Sequence, residues 1–387
     1  MAQTAVQRYP QFAGPINFCM VERNVRVIQN YNVCKGSFGE ATSIWDDFIR
    51  HVLELISEHL NYVETVNALS SGVTGVAGGR DPLQVKDAHL PPWLVVDLPE
   101  LKRLLDMLLS DSEILHRYTN TYYAYSAAAI ALQFLASCTK TTRASIRKII
   151  LGEDQVSVAQ PECHGRGFIP IGQENTTLQV ERRVSLWKTV FPFRPQRHQE
   201  YITATEHDVY SSSNYQNDRL CASDVTQSIG QWAAETMVLQ SLGMPEKSYT
   251  LVLDGDPAPE LTSKVFRTVQ RDAIWQAALD ICVCRGVFEF KPSFVHRRLQ
   301  NAFFFQGLPD MIRTLSASSA PIRCNFQLSS EYDLDKGVEK LLERSCAERW
   351  RYSEGWGCQV SKRSPNEFQT EAPLLPWHLL RWRHVLP

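Results

Sequence analysis

The chain has 387 residues, 44% of them hydrophobic and 21% charged, and its 40 Lys and Arg against 42 Asp and Glu leave a net charge of −2. That length holds two average domains or one large one. The balanced charge argues against a dedicated nucleic-acid binder, whose affinity rests on a basic surface, and against a polybasic membrane anchor.

Residues 1–40 carry no sustained periodicity and read as an irregular arm. A helix is expected over about Ser43–Leu69, where Ile44, Phe48, Val52, Leu55, Ile56, Leu60, Val63 and Val66 recur mostly three and four apart on one face. The Gly- and Ser-rich stretch that follows opens a flexible linker over 71–92, ending at Pro91-Pro92. The organisation predicted is an arm (1–40), an amphipathic helix (41–70), the linker (71–92) and a main globular domain (93–387).

Within that domain a short helix is expected at Pro99–Leu109 and a longer one at Glu113–Ser137, whose centre, Ala127–Leu132, is apolar on all sides and so predicted to be deeply buried. Ile149-Ile150-Leu151 reads as a buried strand, Pro161–Asn175 as a Gly-punctuated loop and Leu178–Val190 as a helix. Pro192–Asn217 reads as an exposed excursion. Further on, helix is predicted at Val225–Leu242, strand at Tyr249–Leu253 before an Asp-Gly turn, and a long helix at Pro259–Cys284. Leu308–Leu315 and Leu334–Arg349 should be helices flanking a strand at Ile322–Leu328, with a Trp-rich tail from Trp350 to Pro387. The fold class predicted is α+β, helix-dominated, with a few short strands.

Ten Cys are scattered without a C-x-x-C pair, and Met1–Pro10 lacks the apolar core of a secretory signal, so reduced thiols in a soluble, intracellular protein are expected. The apolar run Ala127–Leu132 is far shorter than the roughly 20 residues of a membrane span.

Several short patterns carry chemistry. Lys35-Gly36-Ser37-Phe38-Gly39-Glu40 has the glycine spacing of a phosphate-covering loop, but no partner motifs follow it. Asp254-Gly255-Asp256 closes the predicted strand Tyr249–Leu253. Alternate strand residues point the same way, so two carboxylates there can flank a metal and a phosphoryl group; the same residues also suit an Asp-Gly turn before a helix. Leu251–Asp256 thereby resembles the strand-end D-x-D of haloacid-dehalogenase-like phosphatases, a pattern with Thr where this chain has Ala258. Cys163-His164 is a nucleophile and base adjacent in sequence, where side chains diverge, so a distant His such as His207 would be needed. Cys282 and Cys284, two apart on a helix, do not converge on a metal. Arg182-Arg183, Arg194, Arg197 and the intervening aromatics form the main basic cluster, read as a solvated face or a contact for an acidic protein partner. No metal centre and no cofactor motif emerges.

The segment from Ala131 to Trp187 has a distinctive layout: Phe134-Leu135, then Arg143, Ile146-Arg147 and Ile149-Ile150-Leu151, then Glu181-Arg182-Arg183-Val184-x-Leu186-Trp187. This layout resembles large fungal F-box-like proteins, most strongly over about 131–285. Upstream, Asp97-Leu98-Pro99-Glu100-Leu101 with Leu104, Leu105 and Leu108 is similar to an F-box opening, with one residue fewer between the Pro and the Glu. The Val-Cys-Arg-Trp-like helix expected later in an F-box is absent from Leu115–Tyr125. The resemblance implies a non-enzymatic adaptor or scaffold in which Leu98, Leu101 and Leu105 contact a ubiquitin-ligase adaptor subunit. The alternative reading is a metal-dependent phosphate hydrolase using Asp254 and Asp256.

Overall fold

The computed structural model of the chain describes residues 2–13, 16, 41–62, 64, 90–97, 99–103, 124–191, 222–285, 304–315 and 320–347. Four strands lie in sequential order in one parallel sheet: β1 (Lys148–Glu153), β2 (Gln179–Ser185), β3 (Tyr249–Asp254) and β4 (Ile322–Cys324). Around them stand α1 (Ala2–Arg8), α2 (Thr42–Ser57), α3 (Ala127–Ser137), α4 (Lys140–Ser145), α5 (Ile169–Glu174), α6 (Ala222–Val238), α7 (Pro259–Cys284), α8 (Leu308–Thr314) and α9 (Leu334–Ala347). The fold is α+β and helix-dominated, as its composition and periodicities predict.

Long, strongly periodic segments behave as the sequence leads one to expect. The helix predicted at Pro259–Cys284 is α7, and it is the hub of the core. Val265, Phe266, Val269, Ala273, Ile274, Trp275 and Ala278 are all buried, so α7 is enclosed on almost every side through its middle. Strand Tyr249–Leu253 is β3, with Tyr249, Leu251 and Leu253 turned inward. Trp187 Nε1 donates to Thr262 Oγ1 at 2.6 Å, tying the segment after β2 to the first turns of α7.

Other segments differ, each for a physical reason. Leu178–Val190, predicted helical, is instead strand β2 followed by one wide helical turn, Leu186–Val190. The inward residues of β2 are Val180, Arg182 and Val184, an alternation disguised by the charge at its centre. Pro161–Asn175, predicted to be loop, is a 3₁₀ turn (Pro161–Phe168) running into α5. It lies close in because Gly167 has no side chain: a Cβ there would collide with Leu132 and Trp93. Helix α3 begins only at Ala127, capped by Ser126, whose Oγ accepts from Ala129 N at 3.0 Å. Its centre is not buried on all sides. Ala128, Ala129, Leu132 and Leu135 are enclosed, whereas Ile130 and Phe134 are about half exposed. Ile150, expected in a buried strand, is 55% exposed because β1 buries alternate residues only. The predicted strand Ile322–Leu328 shortens to β4, three residues.

Helix α2 stops at Ser57 rather than near Leu69. The reason is loss of a packing partner: Phe48 is buried, but Leu60 is fully exposed. The N-terminal stretch, expected to be irregular, opens with α1. Ala5 and Phe12 pack on Phe48 in a small aromatic cluster, with the Phe12 and Phe48 ring centroids 4.4 Å apart. Ala41, just before α2, belongs to the main core, so α2 bridges the two clusters. Most of the expected linker, the excursion at Pro192–Asn217 and the Trp-rich tail lie outside the described residues. Among the described residues, no helix is long and apolar enough to cross a membrane.

Candidate functional site

The inward ends of the sheet hold a cluster of polar groups that local sequence does not announce. Arg182 of β2 is fully buried, and its Nε donates to Glu153 Oε1 of β1 at 2.8 Å. Its Nη2 stands 2.6 Å from the same oxygen. Neither Nη1 nor Nη2 has an aligned hydrogen-bond acceptor among the described residues. The Trp232 ring faces the guanidinium at 4.6 Å, and the buried Tyr249 phenol lies beside it.

Glu153 has a second task. Its two carboxylate oxygens accept from Ala127 N at 2.9 Å and Ala128 N at 3.1 Å, so a strand residue caps the N-terminus of α3. Glu235 of α6 does the same for α2, accepting from Ser43 N at 2.6 Å and Ser43 Oγ at 2.7 Å. Burial pushes the Glu235 carboxyl up, against the pull of the Ser43 and Cys163 hydrogen bonds. Replacing Glu235 by alanine is expected to cost about 1–2 kcal/mol, a typical helix-cap loss, concentrated in α2. Hydrogen exchange should show the first-turn amides of α2 losing protection ahead of α7.

Cys163 and His164 are both buried, and the structure does not pair them. Cys163 Sγ is 3.3 Å from Glu235 Oε1, and burial followed by the charges of Glu235 and Glu162 raises the thiol well above its ordinary range. A protonated thiol at neutral pH is a poor nucleophile. His164 has both ring nitrogens engaged elsewhere: Nδ1 with Ser126 Oγ at 2.6 Å and Nε2 with Ala159 O at 2.8 Å. A carbonyl only accepts, so Nε2 carries the proton and the serine hydroxyl donates to Nδ1. Burial, then the Arg182 charge, lowers the imidazole to about 4. His207, the distant base considered above, lies outside the described residues. A cavity of about 270 Å³ next to the thiol is lined by Asp46, Asp47, Arg50, Trp93 and Arg166, with Arg166 held 2.9 Å from Asp47.

Asp254 ends β3, at the carboxyl edge of the sheet where open parallel sheets bind ligands. Its Oδ1 accepts from Asn325 Nδ2 at 2.7 Å and from Asp256 N at 3.0 Å, forming an Asx turn. Asp256 is exposed, and among the described residues no group of three or more His, Cys, Asp or Glu side chains gathers around a metal position. Cys284 is exposed at the end of α7; the side chain of Cys282 lies outside the described residues.

Of the three leucines expected to face a partner, Leu101 is described. Residues 99–103 are helical, opened by Asp97, whose Oδ1 accepts from Glu100 N at 2.9 Å. Leu101 is 42% exposed. Leu98 and Leu105 lie outside the described residues, as do the glycine-rich stretch 35–40 and the basic residues Arg194 and Arg197. The basic pair within β2 is split: Arg182 points into the core and Arg183 out. Sequence reasoning missed Glu153, Glu235 and Tyr249, and no local pattern marks them, because each acts on a segment far away in the chain.

No protein-family model, curated protein or solved structure matches this chain.

Proposed function

We propose that this chain is an intracellular, non-enzymatic interaction protein of the F-box-like adaptor or scaffold type, presenting the Leu98, Leu101 and Leu105 segment to a ubiquitin-ligase adaptor subunit. The observation that carries this reading is the setting of Leu101. It is an exposed apolar residue on a helical stretch that a capping Asp97 opens. The stretch is anchored to the folded body just upstream, where Tyr125 Oη donates to Val96 O at 3.0 Å. Helix-in-groove recognition uses apolar anchors three and four apart on a helix, and Leu101 supplies one such exposed anchor beside a fixed point of the fold.

The test compares the full chain with a Leu98→Ala, Leu101→Ala, Leu105→Ala variant by affinity capture from native extract, read by mass spectrometry. Recovery of a ubiquitin-ligase adaptor should fall by about tenfold or more, the effect of losing roughly 1.4 kcal/mol of contact. Capture of no adaptor by the folded parent would end this reading. The alternative, a metal-dependent phosphate hydrolase at Asp254 and Asp256, has in its favour the position of Asp254 at a strand's carboxyl end. Release of phosphate from a generic phosphomonoester with Mg²⁺ is its test.

A further inference from the structure

Parallel sheets are as a rule covered on both faces, because their crossover connections place helices there. Among the described residues, this sheet is covered on one. Strands run β1-β2-β3-β4 in sequence, all parallel, so right-handed crossovers stepping one way fall on the same side. Burial follows. Leu151, Glu153, Val180, Arg182, Val184, Leu251 and Leu253 are enclosed, while of the alternate residues Lys148, Ile150, Gly152, Arg183 and Arg323 are exposed and Glu181, Thr250 and Val252 half-buried. The pairing register sets these in rows: Gly152, Arg183, Val252 and Arg323 cross all four strands, and Ile150, Glu181 and Thr250 form the row below.

Three features of this open face point to an occupant. The first is Gly152. A glycine inside a strand weakens it and marks either a bulge or a close approach by another group. The register of β1 against β2 runs without interruption, so there is no bulge. A Cβ built on Gly152 meets nothing within 4 Å among the described residues, so no close neighbour in the fold accounts for it. The second feature is charge. Lys148 and Arg183 share the single carboxylate of Glu181, at 3.0 and 2.7 Å, and Arg323 has no ion-pair partner among the described residues. Among the described residues, Lys148, Arg183 and Arg323 thus stand around Glu181, with Glu246 and Lys247 together at the lower rim and Asp254, already engaged by Asn325, at the upper, which leaves the bases in surplus. The third is shape. Four strands at about 4.8 Å spacing span about 14 Å, room for one helix of about 10–12 Å diameter. Ile150, more than half exposed, and Val252 supply apolar contact, and a cavity of about 630 Å³ opens at the lower end beside Lys148 and Arg323.

We propose that the open face of the sheet, floored by Gly152, docks an acidic amphipathic helix of a partner protein. Its apolar side would lie over Ile150, Gly152 and Val252, with carboxylates meeting Arg183, Arg323 and Lys148. A second copy of the chain would oppose like charges across this face. The surface is built from residues outside the Leu98–Leu105 segment, and its docking role does not depend on the adaptor reading.

A photo-cross-linking p-benzoylphenylalanine at position 150 of the full chain, irradiated in native extract, tests this. The expected adduct lies on a different polypeptide, in a segment whose apolar residues recur three and four apart and whose acids outnumber its bases. Gly152→Trp adds a Cβ that meets nothing within 4 Å among the described residues, on an outward-facing strand position, so it should leave the melting temperature within about 2 °C of the parent and cut adduct yield about tenfold, as should Arg323→Glu. The leucine triple variant should leave the yield unaltered. Adducts on the chain itself or on a second copy, told apart by isotopic mixing, would overturn the proposal. So would a captured segment without an acidic surplus, no adduct above the unirradiated control, yield that survives both face substitutions, or loss of the adduct in the leucine variant.

Discussion

Glu153→Ala is expected to destabilise the fold by about 3–5 kcal/mol, the cost of leaving one member of a buried ion pair without the other. Arg182, which pairs with it, has a fully buried side chain. Alanine would leave that guanidinium in the interior with no carboxylate, and would also release Ala127 N and Ala128 N at the head of α3. Urea unfolding of parent and variant measures the loss. The companion experiment is the double change Glu153→Leu with Arg182→Met, which removes both charges at similar volume. It should recover a large part of the loss, because the damage in the single variant comes from the orphaned cation rather than from the missing attraction. If the double variant is as unstable as the single, the capping of α3 is the larger role of Glu153.

The second large effect is acid sensitivity from His164. The free imidazole titrates near 6.5, whereas in the fold it is held down to about 4, first by burial and then by Arg182. A group with a depressed folded pKa stabilises fully above its unfolded pKa. As pH falls from 6.5 the unfolded chain takes up a proton that the folded chain refuses until about pH 4. The stability lost over that window is about 3 kcal/mol, at about 1.4 kcal/mol per pH unit. Glu235 and Asp272, both raised chiefly by burial, act in the opposite sense: the fold binds their protons more readily, and their contribution is lost as pH rises. The clean measurement is therefore a difference: unfolding free energy of the parent minus that of His164→Gln, followed from pH 7.5 to pH 4. The gap should be widest above pH 6.5 and shrink steadily below it; a gap independent of pH would mean the imidazole does not change its proton affinity on folding.

The two predictions draw on one structural habit of this chain. Polar groups distant in sequence meet in the interior and fasten helices there: Glu153 at the head of α3, Glu235 at the head of α2, and His164 against Ser126 at the α3 cap. Thr226 to Asp272, at 2.6 Å, joins α6 to α7 in the same way. None of these contacts joins residues fewer than 25 positions apart.

Sequence by itself determined the elements whose burial repeats at a single period. Helix α7 announces itself because Leu261, Val265, Val269, Ala273 and Ala277 step by four, and β3 because a short β-branched and aliphatic run meets an Asp-Gly turn. It also indicated a helix-dominated α+β fold. Tertiary structure decided the remainder. Arg182 in a strand reads as a polar face until Glu153 is there to neutralise it, so β2 looked helical. Gly167 reads as loop until Leu132 and Trp93 crowd it, so the 3₁₀ turn was hidden. Leu60 continues a helical period but has nothing to pack on, so α2 ends early. In each case a residue's state depends on a partner many positions away, and local pattern carries no record of which distant groups will share the interior.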